Sequence, residues 1–264
     1  MNKKYFVFKI VFCIFLFGIN KSSIPVIAQE KLTGHWIARQ VFDRNRGGNS
    51  FSTATMVLVN KNGKKNTRVF KNLRIREQGF EKQLIRFTSP ADIDGTGFLT
   101  IEKTGYETDQ FLYLPALRRT RRIVSSQKSQ QFVNSDFTYE DMERHPVENY
   151  IYDLKGEKIV ENIDCYLLET RPQKTISSQY SLMKSVISKA SFVPIFAEYF
   201  DQKGKHIKTY KVLKLELKQN IWTESIVMME DILKKHKTFI KLQDIEYNTN
   251  ITSDQFSKVA LENY

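Results

Sequence analysis

The sequence predicts a mainly β protein of the α+β class: a curved, unclosed antiparallel sheet, a half-barrel, with helices covering its concave face. Three observations predict it. Nearly every segment after residue 50 forms a short run rich in Val, Ile, Thr, Phe and Tyr, with apolar and polar residues alternating. The links between many of these runs are short polar turns, among them Asn62-Gly63, Lys155-Gly156, Lys203-Gly204 and 218–220. Some strands are apolar on both faces, as where Ile226 and Met228 alternate with Val227 and Met229, so both faces need cover. Helix packing, a bound lipid or a partner could each supply that cover.

The first 28 residues read as a secretory leader. Lys3 and Lys4 form a charged start, residues 5–19 an apolar run broken by Lys9, and Ala28 a small residue at the cleavage point. The run is too short and too interrupted for a membrane span. Phe12 before Cys13 lacks the small side chain expected ahead of a lipidated cysteine. Residues 29–264 then read as a single exported domain, with no Pro/Gly/Ser linker and no internal repeat.

Removing the leader takes away Lys3, Lys4, Lys9 and Lys21 and no acid, so the formal charge falls from +12 to +8. A basic exported chain has no access to nucleic acid, while peripheral contact with an anionic membrane surface stays open. Cys165 is then the one cysteine, which excludes an internal disulfide and a cysteine-based metal site. A monomer is expected.

Taken in order, residues 33–42 place Trp36, Ile37, Val41 and Phe42 at helical spacing behind Thr33 as N-cap. Strands are expected over 51–59, 68–76, 83–88, 97–102 and 110–114. Pro115 halts the last of these, because proline cannot donate to a sheet ladder. Residues 140–152 read either as a short helix or as an irregular lid. Strands resume over 158–163, 165–170, 180–188, 195–201, 207–217, 222–231 and 236–247.

The stretch 109–141 organises the rest. Its apolar strand leads into two basic pairs, Arg118-Arg119 and Arg121-Arg122, then a Ser/Gln/Lys loop, then an aromatic and acidic run with Asp136, Phe137, Tyr139, Glu140 and Asp141. Guanidiniums and carboxylates this close can pair and fix the path of the loop over the sheet.

Motifs of known chemistry are missing. The sequence has no G-x-S-x-G elbow, no H-E-x-x-H and no phosphate-binding loop. Asp92-Ile93-Asp94-Gly95 lacks the later ligands of a calcium loop and reads as a turn. No cofactor is implied, and an enzyme is disfavoured because no base stands near a nucleophile.

Three runs, RFTSPADIDGTGFLTIE (86–102), FLYLPALRRTRRI (111–123) and SDFTYED (135–141), resemble the outer-membrane lipoprotein-sorting family, the LolA-like periplasmic lipid-binding proteins. One departure is Asn134, where glycine is expected; a tight turn there requires a left-handed asparagine. The resemblance implies a carrier that holds acyl chains or another lipid in an apolar cavity and passes it to an envelope transporter or outer-membrane receptor. The expected cavity residues are Trp36, Ile37, Phe87, Phe98, Phe111, Tyr113, Leu114, Phe137 and Tyr139, with core packing as the alternative for each. Arg86, Arg121 and Arg122 are expected at the rim, meeting a head group or clamping Asp136 and Asp141. The alternative function is a non-catalytic sensor or docking protein that binds a protein segment through the basic loop 118–128.

Overall fold

The structure, a computed structural model, describes residues 31–104 and 107–263; the leader expected over 1–28 lies outside them. Residues Leu32–Tyr264 form one unit. It opens with α1 (Gly34–Asp43), capped as the sequence suggests: the Thr33 hydroxyl accepts a hydrogen bond from the Trp36 N–H at 3.1 Å.

Two antiparallel meanders follow. The first is β1 (Asn49–Val59), β2 (Lys65–Glu77), β3 (Phe80–Ser89), β4 (Gly97–Glu102), β5 (Thr108–Leu114) and β6 (Arg119–Arg122). The second is β7 (Tyr150–Val160), β8 (Ile163–Pro172), β9 (Tyr180–Ser188), β10 (Pro194–Asp201), β11 (His206–Lys218), β12 (Ile221–Asp231) and β13 (His236–Tyr247). Pairing of β1 with β13 joins them into one 13-stranded sheet in the order β6-β5-β4-β3-β2-β1-β13-β12-β11-β10-β9-β8-β7. The edges β6 and β7 do not meet, so no barrel closes. The segment between them, residues 123–149, runs from one edge to the other as irregular chain and single 3-10 turns.

The side chains of β3, β4 and β5 sort by the strand period of two. Ile85, Phe98 and Leu112 enter one core with Phe70, Phe87, Phe132 and Tyr139, while their neighbours Leu84, Leu99 and Phe111 enter a second with Phe256 and Leu261. The second core is where the five-residue α2 (Lys258–Glu262) covers the outer face. A third cluster joins Ile37 and Ala38 of α1 to Leu168 and Ile187 on the other half of the sheet.

Curvature follows from which residues share a cavity. Gln83 on β3 and Leu168 on β8 line one hollow of about 470 Å³. They stand eight strand spacings apart, about 38 Å in a flat sheet. The sheet therefore curls until its two halves face each other.

Three local expectations change. The basic pairs read as loop include β6, an exposed edge strand whose arginines give no apolar alternation to detect. Residues 150–152 begin β7 rather than ending a helix, after 3-10 turns at Glu140–Met142 and Val147–Asn149. Lys155-Gly156 is no turn: the β7 register shifts between Leu154 and Gly156, whose φ is 130°, and β7 turns over only at Glu161-Asn162. The left-handed Asn134 is present, at φ 59°.

Gly34 fixes the approach of α1 to the sheet. A Cβ there would lie 2.6 Å from the Tyr152 carbonyl oxygen. Gly34→Ala should therefore destabilise the protein by about 1–3 kcal/mol through overpacking, seen as an earlier midpoint in urea denaturation with an unchanged slope.

Candidate functional site

The segment 123–149 is a strap held across the inner face by buried charges. Asp136 is almost fully buried, and its carboxylate accepts from the Thr238 hydroxyl at 2.7 Å and from His236 Nδ1 at 2.6 Å. Its own N–H donates to the same Thr238 oxygen at 2.9 Å. Five residues on, Asp141 accepts from the Thr138 N–H at 2.7 Å, the Tyr180 hydroxyl at 2.7 Å and Lys208 Nζ at 2.8 Å. Burial, with Asp141 beside it, pushes the Tyr180 phenol well above its usual range, which keeps it a donor. The strap is thus tied to β9, β11 and β13, on the opposite meander from β6.

Under the strap and α1 lies the cavity of about 470 Å³. Most of its wall is apolar: Val41 and Phe42 from α1, Met183 and Ile187 from β9, and Val227 and Met229 from β12. This wall comes from inward-facing positions of the second meander, where large side chains alternate with Ser185 and Ala197 and leave room.

One end of the cavity is charged. Immediately after α1, Arg44 Nη2 donates to Glu224 at 2.7 Å and Arg46 Nη1 lies 3.2 Å from Glu81. Arg74 holds Glu81 from the other side at 3.2 Å, and Arg144 pairs with Glu102 at 2.9 Å while its guanidinium stacks 3.9 Å from the Phe42 ring centre. Burial pushes the Glu81 and Glu224 carboxyls up. The adjacent guanidiniums outweigh it, and both carboxyls end below the usual range. For Arg46, Glu81 dominates and raises the guanidinium further. The Tyr210 hydroxyl completes the group, donating to Glu224 at 3.2 Å.

A second hollow, of about 500 Å³, shares Glu143, Arg144 and His145 with the first and adds Arg122, Lys128 and Glu140. Its charged lining suits water better than hydrocarbon. Among the described residues no group of three or more His, Cys, Asp or Glu could hold a metal.

The expected cavity residues are distributed as follows. Phe137 lines the cavity. Trp36 and Ile37 are on the roof helix but point into its packing, Trp36 edge-on to Phe192 with ring centres 5.7 Å apart. Phe87, Phe98 and Tyr139 stack around Phe132, with Phe98 4.9 Å from it, and Leu114 packs against the same cluster, so these form solid core under the strap. Phe111 and Tyr113 lie on the outer face, where Lys258 Nζ sits 4.4 Å from the Phe111 ring centre.

Of the rim set, Arg86 is buried on the outer side and donates to the Leu261 and Gly95 carbonyls at 2.6 and 2.8 Å, anchoring α2. Arg122 pairs with Asp109 at 2.5 Å and the Arg121 guanidinium lies near the Tyr139 phenol. The partners of Asp136 and Asp141 are instead His236, Thr238, Lys208 and Tyr180, because both aspartates face the meander opposite β6. Sequence reasoning missed Arg44, Arg46, Glu81 and Glu224. Their signal was available: two arginines directly after an amphipathic helix, and single acids within strands otherwise rich in apolar residues.

A family model described as "Uncharacterized protein" matches residues 79–263. No curated protein matches the chain. Among solved structures, a DUF1329 family protein from Desulfovibrio piger is 31% identical, with a TM-score of 0.82 over 86% of this chain and 97% of that one. A protein from Vibrio parahaemolyticus described as an outer membrane lipoprotein-sorting protein domain is 30% identical, with a TM-score of 0.81 over 87% of this chain and 98% of that one. A LolA superfamily protein from Nitrosomonas europaea, 16% identical, shares the fold with a TM-score of 0.68 over 87% of this chain and all of that one.

The latch makes a direct prediction. Asp141→Asn leaves the buried Lys208 ammonium uncompensated and should cost about 3–5 kcal/mol in urea denaturation. Adding Lys208→Met should recover much of that loss, since the unpaired charge is then gone.

Proposed function

We propose that this chain, which belongs to the LolA-like outer-membrane lipoprotein-sorting family, is an exported carrier that holds a lipid in the cavity between α1, the strap and the curled sheet. The observation that carries the reading is the cavity itself: about 470 Å³ of mostly apolar space beside a core that the protein's own side chains fill. Empty apolar space of that size forfeits packing contacts. A hydrocarbon guest restores them and gains about 25 cal/mol for each Å² of apolar surface withdrawn from water. The work is binding and release, with no covalent step.

The leader expected over residues 1–28 supports a periplasmic setting, where lipids must cross water between membranes. Release to a transporter or outer-membrane receptor requires the roof to move, and the strap and α1 are the two elements able to do so without breaking the sheet ladder. The β6 edge offers a surface for such a partner, since Arg118 and Arg119 are exposed and Leu117 between Pro115 and that strand is 68% exposed. The same surface favours the second reading, a docking protein for an acidic segment, whose complex would weaken with salt.

Organic extraction of the mature protein followed by mass spectrometry should recover bound lipid. Ser185→Trp, which fills the cavity from β9, should lower the recovered amount about fivefold or more while far-ultraviolet circular dichroism stays unchanged. A lipid-free extract from protein purified without detergent contradicts the carrier reading.

A further inference from the structure

The charged end of the cavity is unbalanced. Four guanidiniums, Arg44, Arg46, Arg74 and Arg144, face three carboxylates, Glu81, Glu102 and Glu224. One positive charge is left over in a site where the Arg44, Arg74 and Arg144 side chains are 5–13% exposed and Arg46 is 32% exposed. Such an excess is costly unless an anion joins it. Two of the guanidiniums line the cavity with donors to spare: among the described residues, the hydrogen bonds of Arg44 run through Nη2 and those of Arg46 through Nη1. Each guanidinium carries five N–H donors, so several remain for a guest.

Volume limits the rest of the guest. At roughly 30 Å³ for each water-sized or methylene-sized group, about 470 Å³ seats on the order of sixteen carbons. That matches one long acyl chain.

We infer that the cavity binds a lipid with a single acyl chain and an anionic head group, the chain lying along Met183, Val227 and Met229 and the head group held by Arg44 and Arg46. This rests on the carrier reading and names its cargo. Both a free fatty acid and a one-chain acylglycerol phosphate have the required chemistry, a compact anion that accepts forked hydrogen bonds from guanidinium.

The test is a set of calorimetric titrations of the delipidated protein with palmitate, 1-acylglycerol 3-phosphate, hexadecanol and two-chain phosphatidylglycerol. Palmitate or the acylglycerol phosphate should bind about tenfold or more tightly than hexadecanol, and the tighter of the two anions identifies the head group as carboxylate or phosphate. Arg46→Met should close the gap to hexadecanol, and the isosteric Glu224→Gln, which adds to the positive excess, should widen it. Hexadecanol binding as tightly as both anions to the wild-type protein overturns the head-group assignment, and this comparison needs no variant to fold. Phosphatidylglycerol binding as tightly as the one-chain anions overturns the single chain. Failure of all four to bind overturns the carrier reading itself.

Discussion

The buried latch of Asp141 with Lys208 and Tyr180 is the constraint from which the rest of the architecture follows. A sheet of 13 strands that curls without closing has an inner face to cover and two edges to connect. The strap does both, but irregular chain cannot hold its place by ladder hydrogen bonds. It is held instead by two aspartates bonded to the far meander, Asp141 at β9 and β11, and Asp136 through Oδ2 at β13, its buried Oδ1 having no hydrogen-bond partner among the described residues. Buried charges of this kind are poor sources of net stability but strong sources of position, because misplacing them leaves a charge unpaired in a dry interior. The strap therefore has one low-energy path, and the space beneath it is defined by that path.

The two halves of the inner face differ for this reason. Where the strap lies close to the first meander, Phe132 and Tyr139 descend onto Phe87 and Phe98 and the interior is solid. Across the second meander the roof is α1 and the 137–145 part of the strap, and the smaller inward residues leave a hollow. Its polarity is graded from hydrocarbon wall to arginine and glutamate end. A site of that form can orient a guest as well as hold it, since only one end of an amphipathic molecule is compatible with each end of the cavity.

Much of the fold was legible in the sequence because its signals are local. Period-two alternation marked most of the strands, Thr33 marked the helix start, and the left-handed turn at Asn134 followed from its departure from glycine. β6 was not legible, since an exposed edge built from Arg119, Thr120, Arg121 and Arg122 has no apolar face to repeat. Gly156 was misread as a turn because a bulge and a turn use the same residue type. The candidate site was less legible still. Aromatic richness pointed to Phe87, Phe98 and Tyr139, yet large rings in a curled sheet tend to fill space rather than leave it. The cavity wall is made where side chains are small or flexible, at Ser185, Ala197 and Met183, and such positions stand out only once the curl brings β3 opposite β8. The charged end joins Arg46 to Glu81 and Arg44 to Glu224, partners up to 180 residues apart in the chain, and no spacing rule connects them.

The central claim is that an acyl chain occupies the hollow of the second meander. Methionine methyl groups report on it directly: Met183 and Met229 line the hollow, while Met56 is buried in the solid core of the first meander. With methyl-labelled methionine and a bound fatty acid, nuclear Overhauser contacts from the ligand methylenes should reach Met183 and Met229 and not Met56. Saturable binding with ligand contacts confined to surface residues, or no contact at either cavity methionine, would contradict the account.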